Sequence, residues 1–149
     1  MIFEKTSKIS ELKKAIEIAF VDDELLLNKF HIVKTGLKDC VQETKENILD
    51  FKKTYGAEYY ILKENDEIIG YLILSNMYHF LYSFGINKEY RSKQNKQELF
   101  DFVVENCKGT FFCSLYNIND RAINYLLKMG MNIIGQEMAI TQLKYNVCQ

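Results

Sequence analysis

The period of the apolar residues changes near residue 58, and the change divides the chain into two patterns. Before it the spacing is helical. Ile9, Leu12, Ile16, Ala19 and Phe20 share one face, which predicts a helix with Ser7 or Ser10 as its cap and Glu11 in its first turn. Leu26, Phe30, Val33 and Leu37 predict a second helix that opens at Asp22-Asp23-Glu24, a triplet read as a solvated first turn rather than a metal site. Gly36 breaks that helix. Val41, Thr44, Ile48, Phe51 and Tyr55 predict a third helix, stopped at Gly56. A short strand at Ile2 to Lys5 precedes all three.

From Glu58 onward the runs shorten and lose the helical period. Tyr59 to Lys63, Ile68 to Ser75 and Tyr78 to Ile86 read as three strands. The tight links at Glu64-Asn65-Asp66-Glu67 and Asn76-Met77 make them an antiparallel meander. A helix at Gln97 to Lys108 and a strand at Thr110 to Leu115 follow. A strand–helix–strand unit implies one parallel pairing with the helix crossing a face of the sheet. Asn119 or Asp120 caps a further helix that stops at Gly130, and Met131 to Val147 supplies one or two edge strands. The expectation is one domain over 1–149, α+β, with a mixed and mostly antiparallel sheet and helices on both faces.

Composition narrows the function by exclusion. The net charge of −1 gives no electrostatic reason to expect a nucleic-acid partner. No apolar run approaches the roughly 18 residues of a membrane span, and no signal-peptide pattern opens the chain. Cys40, Cys107, Cys113 and Cys148 are scattered, and His31 and His79 are the two histidines, so no metal site is expected. Reduced thiols fit a cytoplasmic protein.

One stretch concentrates positive charge. After the apolar run that ends Phe84-Gly85-Ile86 come Lys88, Arg91, Lys93 and Lys96, and then Leu99, Phe102, Val103 and Cys107 at helical spacing. A strand that feeds a cationic loop and then a helix start is a place where an anion can sit. Free backbone N–H groups and the positive end of the helix dipole, about half an elementary charge, point there.

This segment resembles motif A of the GNAT superfamily of N-acetyltransferases, written V-x-P-x-x-R-x-x-G-x-G/A with Leu three residues later. Ile86, Arg91 and Leu99 stand at the Val, Arg and Leu positions, whereas Lys88, Gln94 and Lys96 replace the proline and the two glycines. Asn119 to Met131 is similar to motif B of the same family, with Asn119, Ala122, Lys128 and Gly130 at matching offsets.

The resemblance implies a GNAT-like fold and acetyl-CoA as co-substrate, with direct attack of a primary amine on its thioester. The acceptor would be a small molecule or a peptide, and no nucleic acid or membrane is involved. It maps cofactor binding to Phe84, Gly85, Ile86, Arg91, Ser92, Lys93, Gln94, Asn95, Lys96 and Asn119. The strand at Phe112 to Leu115 would form the far side of a gap for the pantetheine arm. The family's acidic Tyr falls at Leu126, so Tyr125, one residue early, is the candidate acid. Glu58, His79 and Glu89 are candidates for the base. The alternatives are a catalytically inactive member of the fold that binds CoA or a protein partner, or a structural protein whose helical first third is an interaction surface.

Overall fold

Strands buried on both faces explain why the central runs of this sequence are continuously apolar. A computed structural model of the protein describes residues 1–21, 56–117, 119–137 and 140–146. The second and third expected helices, with the Asp22-Asp23-Glu24 triplet, lie outside the described residues. Strands β1 (Ile2–Thr6), β2 (Glu58–Glu64), β3 (Glu67–Ser75), β4 (Phe80–Ile86), β5 (Thr110–Tyr116), β6 (Asn132–Glu137) and β7 (Ile140–Asn146) form one sheet in the order β1-β2-β3-β4-β5-β7-β6. Among the described strands β4–β5 is the one parallel pair, and every other neighbour is antiparallel. This is the mixed, mostly antiparallel sheet that the sequence led us to expect.

Alternation along the strands makes two cores. Tyr59, Ile61, Tyr71 and Ile73 face α1 (Ile9–Phe20), which buries Leu12, Ala15, Ile16 and Ala19 against them. Tyr60, Leu62, Leu72, Leu74 and Leu81 face the other way. There they meet Leu99, Phe100 and Val103 of α2 (Lys93–Asn106) and Leu126 of α3 (Asp120–Lys128). Helices therefore cover both faces.

The meander links differ in a way the residues explain. Asn65 and Asp66 both take positive φ (50° and 64°), so β2 and β3 join through the tight primed turn those residue types tolerate. The next link is longer than expected. Tyr78 donates its amide to Ser75 Oγ at 3.2 Å and His79 takes φ 53°, so β4 begins at Phe80 rather than Tyr78. At the N-terminus neither Ser7 nor Ser10 caps α1. Lys8 occupies the cap, and its amide donates to Thr6 Oγ1 at 3.0 Å while that hydroxyl donates to Glu11 at 2.8 Å. The tail also departs from expectation, because β7 lies inside the sheet between β5 and β6.

Two glycines permit close approach where the site begins. A Cβ on Gly70 would stand 2.1 Å from the Gly85 carbonyl oxygen, and one on Gly85 would stand 2.9 Å from Tyr71 and 3.0 Å from Ala19. A glycine inside a strand costs about 0.5–1 kcal/mol relative to Ala. Steric contact with backbone costs more, so glycine is the residue that fits at Gly70.

Candidate functional site

The site starts from a strand that carries one residue too many. In β4, Ser83 pairs with Ile73 and Leu81 with Leu74, which leaves Tyr82 as a bulge. A bulge bends its strand and adds twist. It also puts two consecutive side chains on one face: Tyr82 packs toward the α1 core, and Ser83 Oγ is 2.7 Å from the Tyr71 hydroxyl on that side. Pairing with β5 stops at the same place. Phe80 meets Phe112 and Leu81 meets Cys113, and beyond them β4 and β5 make no further ladder. β4 stays paired with β3 to Ile86, and β5 with β7 to Tyr116. The two parallel strands thus splay.

Strand alternation fixes what looks into the splay. The Asn87 amide donates to Ile69 on the β3 side at 2.7 Å, so the amides of Phe84 and Ile86 turn to the opposite, open side.

The loop after β4 is held from below by α1. Asn87 Nδ2 donates to the Ile18 carbonyl at 2.9 Å, and Arg91 donates through Nε to the Ile86 carbonyl at 2.6 Å and through Nη2 to the Ala19 carbonyl at 3.5 Å. These carbonyls of the last turn of α1 would otherwise lack helical partners. Arg91 therefore pins the loop while its side chain lines the cavity. Ser92 is the cap of α2, its hydroxyl accepting from the Asn95 amide at 3.1 Å, and Asn95 is buried with its side chain donating to the Tyr90 carbonyl at 2.8 Å. Gln94 points outward to Glu98. Ser92 and Asn95 build the loop, and Gln94 lies on its surface.

The helix begins at Lys93, not Gln97. Positions 94 and 96, where the motif has glycines, therefore sit in ordinary right-handed helix and neither takes positive φ. Among the described residues the first-turn amides of Lys93 and Gln94 receive no acceptor, as expected at a helix start.

α3 forms the facing wall. Asn119 caps it, its side chain accepting from the Ala122 amide at 3.4 Å, and also lines the space between the helices. Arg121, Asn124, Tyr125 and Lys128 follow at i, i+3, i+4 and i+7, which is one helical face. Between β4, α2 and α3 lies a cavity of about 880 Å³, lined by Phe20 of α1 and by Phe84, Gly85 and Ile86. Arg91, Lys93, Lys96, Arg121 and Lys128 all reach it, against the single carboxylate of Asp120. No carboxylate among the described residues pairs with Lys93, Lys96 or Lys128. Such a concave surface with an excess of positive charge attracts anions.

Tyr125 donates its hydroxyl to the Lys96 carbonyl, and its ring lies 6.0 Å from that of Phe84. Burial first, and the charge of Asp101 second, push its pKa above the ordinary tyrosine value. Leu126, at the family's acid position, is fully buried in the core.

The candidate bases lie elsewhere. Glu58 accepts from Tyr60 at 2.7 Å and pairs with Lys5 at 3.3 Å, His79 Nδ1 sits 2.7 Å from the Cys107 carbonyl, and Glu89 is exposed on a single 3-10 turn. None of the three lines the cavity. Among the described residues there is no cluster that could hold a metal ion.

Sequence reasoning missed Phe20, Gln97, Arg121, Asn124 and Lys128. The signal for the last three was present as a polar stripe at helical spacing, but such a stripe reads as a solvated face until its partner is known.

Comparison with known proteins agrees with this geometry. The model of the acetyltransferase (GNAT) family matches residues 24–131. No curated protein matches the sequence. Among solved structures, a Pyrococcus horikoshii protein is similar at 14% identity and TM-score 0.70, over 99% of each chain. The paia N-acetyltransferase of Thermoplasma acidophilum, in complex with coenzyme A, is similar at 13% identity and TM-score 0.65, over 98% of this chain and 99% of that one. A GNAT family acetyltransferase from Elizabethkingia anophelis with acetyl-CoA bound is similar at 16% identity and TM-score 0.57, over 68% of this chain and 82% of that one.

Proposed function

The chain belongs to the GNAT family of acetyltransferases, and on that premise we propose that it binds acetyl-CoA between β4, α2 and α3 and acetylates a primary amine. One observation carries the reading: the opening between β4 and β5 beyond Leu81 and Cys113 runs beside a cavity lined by Arg91, Lys93, Lys96, Arg121 and Lys128. The splay suits an extended arm with amide groups, and the cationic cavity suits a nucleotide diphosphate. A volume of about 880 Å³ is in the range of sites that enclose a sizeable ligand.

In this reading each part of the chain has a task. The first turn of α2, with Lys93 and Lys96, holds the diphosphate, and Ser92 and Asn95 keep that turn in shape. Gln94 contributes its backbone amide. Arg91 ties the loop to α1 and adds positive charge. Gly85 lets α1 pack closely against β4 beside the site, and Asn119 lines the side of the arm. When bound, acetyl-CoA supplies an acetyl group activated as a thioester, so an amine nitrogen can form an amide as the carbon–sulfur bond breaks. The Phe84 and Ile86 amides, aimed into the splay, would polarise the acetyl carbonyl. A donor of that kind is worth roughly 3–4 kcal/mol where it has been removed from other enzymes.

Titrating the protein with acetyl-CoA tests this. Saturation at a hundred times Kd should add about 2.7 kcal/mol, a rise in Tm of roughly 5–10 °C for a chain of this size. An unchanged Tm at millimolar acetyl-CoA removes the proposal. A rise in Tm without thiol release across a panel of amines would favour the inactive CoA-binding member instead.

A further inference from the structure

The geometry points to Tyr125 as a positioning residue that sets Lys96 against the phosphates of the ligand, an inference that rests on the CoA-binding reading above. The walls of the cavity come from separate elements, α2 with Lys93 and Lys96 and α3 with Arg121 and Lys128. The Tyr125 hydroxyl joins them by donating to the Lys96 carbonyl. Lys96 is thus held by its peptide while its side chain lines the cavity. The ring that delivers this hydroxyl has its own support: it packs on Phe84 of β4, and its neighbour Leu126 is sealed in the core. The hydroxyl therefore has a fixed origin and a fixed target.

The same contact argues against the role of proton donor. A tyrosine has one hydroxyl proton, and here it is committed to a carbonyl. Burial raises the pKa, which makes the group a weaker acid than a tyrosine in water. Lys96 stands where the family has a glycine, so this chain carries on a side chain part of the charge that the family draws from backbone amides. Fixing the Lys96 peptide fixes the point from which that side chain reaches into the cavity.

A double-mutant cycle read by calorimetric titration with CoA tests the inference, using wild type, Tyr125→Phe, Lys96→Ala and the double variant at low salt. Tyr125→Phe keeps the ring and removes the hydroxyl. It should weaken CoA about fivefold on its own and less than twofold on the Lys96→Ala background, because the group it positions is then gone. Its salt dependence should also be shallower than that of wild type. Equal CoA affinity for wild type and Tyr125→Phe overturns the inference, and so do effects that multiply across the cycle. Unchanged affinity with lost turnover would return Tyr125 to the role of acid. Failure of wild type to bind CoA is a separate result, which removes the parent reading and this one with it.

Discussion

The two edges of β4 show how one strand can be closed on one side and open on the other. Toward β3 it is paired from Phe80 to Ile86, and the contact is tight enough that Gly70 admits no side chain. Toward β5 it is paired at Phe80 and Leu81 and then departs. Both edges have the same residues and the same burial. The two edges diverge at the bulge at Tyr82, where β3 continues after a register shift and pairing with β5 ends. The open edge has exchanged a ladder for amides that face a cavity.

Breaking the closed edge should have the largest effect. Gly70→Ala would drive a Cβ into the Gly85 carbonyl, where backbone cannot yield cheaply. A loss of about 3 kcal/mol is expected in urea denaturation. A loss below about 1 kcal/mol would show that the two strands can separate.

Arg91 both ties the loop to α1 and lines the cavity, so it should show a stability signature and a binding signature. Arg91→Glu removes the donor to the Ile86 and Ala19 carbonyls and sets a negative charge at the C-terminal end of α1. It should cost about 2 kcal/mol of stability and weaken CoA by more than tenfold. Lys93→Glu, exposed at the start of α2, should weaken CoA while stability stays within about 0.5 kcal/mol of wild type. Equal stability losses in the two variants would mean that Arg91 does not pin the loop.

The smallest effect concerns the place where the ladder ends. Burial pushes the thiol of Cys113, paired with Leu81, up to about 12 and that of Cys107 up to about 11, from an ordinary 9. A raised folded pKa means that its contribution is complete below pH 9 and is lost progressively as pH rises from 9 to the folded value of 11 or 12. Cys113 alone should cost roughly 1 kcal/mol by pH 10. Cys113→Ala should flatten the stability profile between pH 9 and 11, and an unaltered slope there would show that this thiol is not the group responsible.

The meander was legible because strand alternation and the Asn65-Asp66 turn are local signals, and Asn119 announced its cap in the same way. The start of α2 was not. Its first turn is polar, so apolar periodicity begins only at Leu99, and the relevant signal was the single cap Ser92. The position of β7 between β5 and β6 depends on pairings far apart in sequence. In the site, the cationic loop was readable as charge, but the Arg121–Asn124–Lys128 stripe needed the fold to supply the wall opposite. The bulge left no mark at all, because an apolar run such as Leu81 to Ile86 looks the same with or without a skipped partner.

Counting residues along β4 gives that bulge a further meaning. In an unbroken strand, Leu81 and Phe84 would project to opposite faces; the surplus Tyr82 brings Phe84 and Ile86 back to the side of Leu81, toward α2 and α3. Excising that one residue would exchange the faces of everything downstream, so the ligand side of the sheet is defined by an odd number.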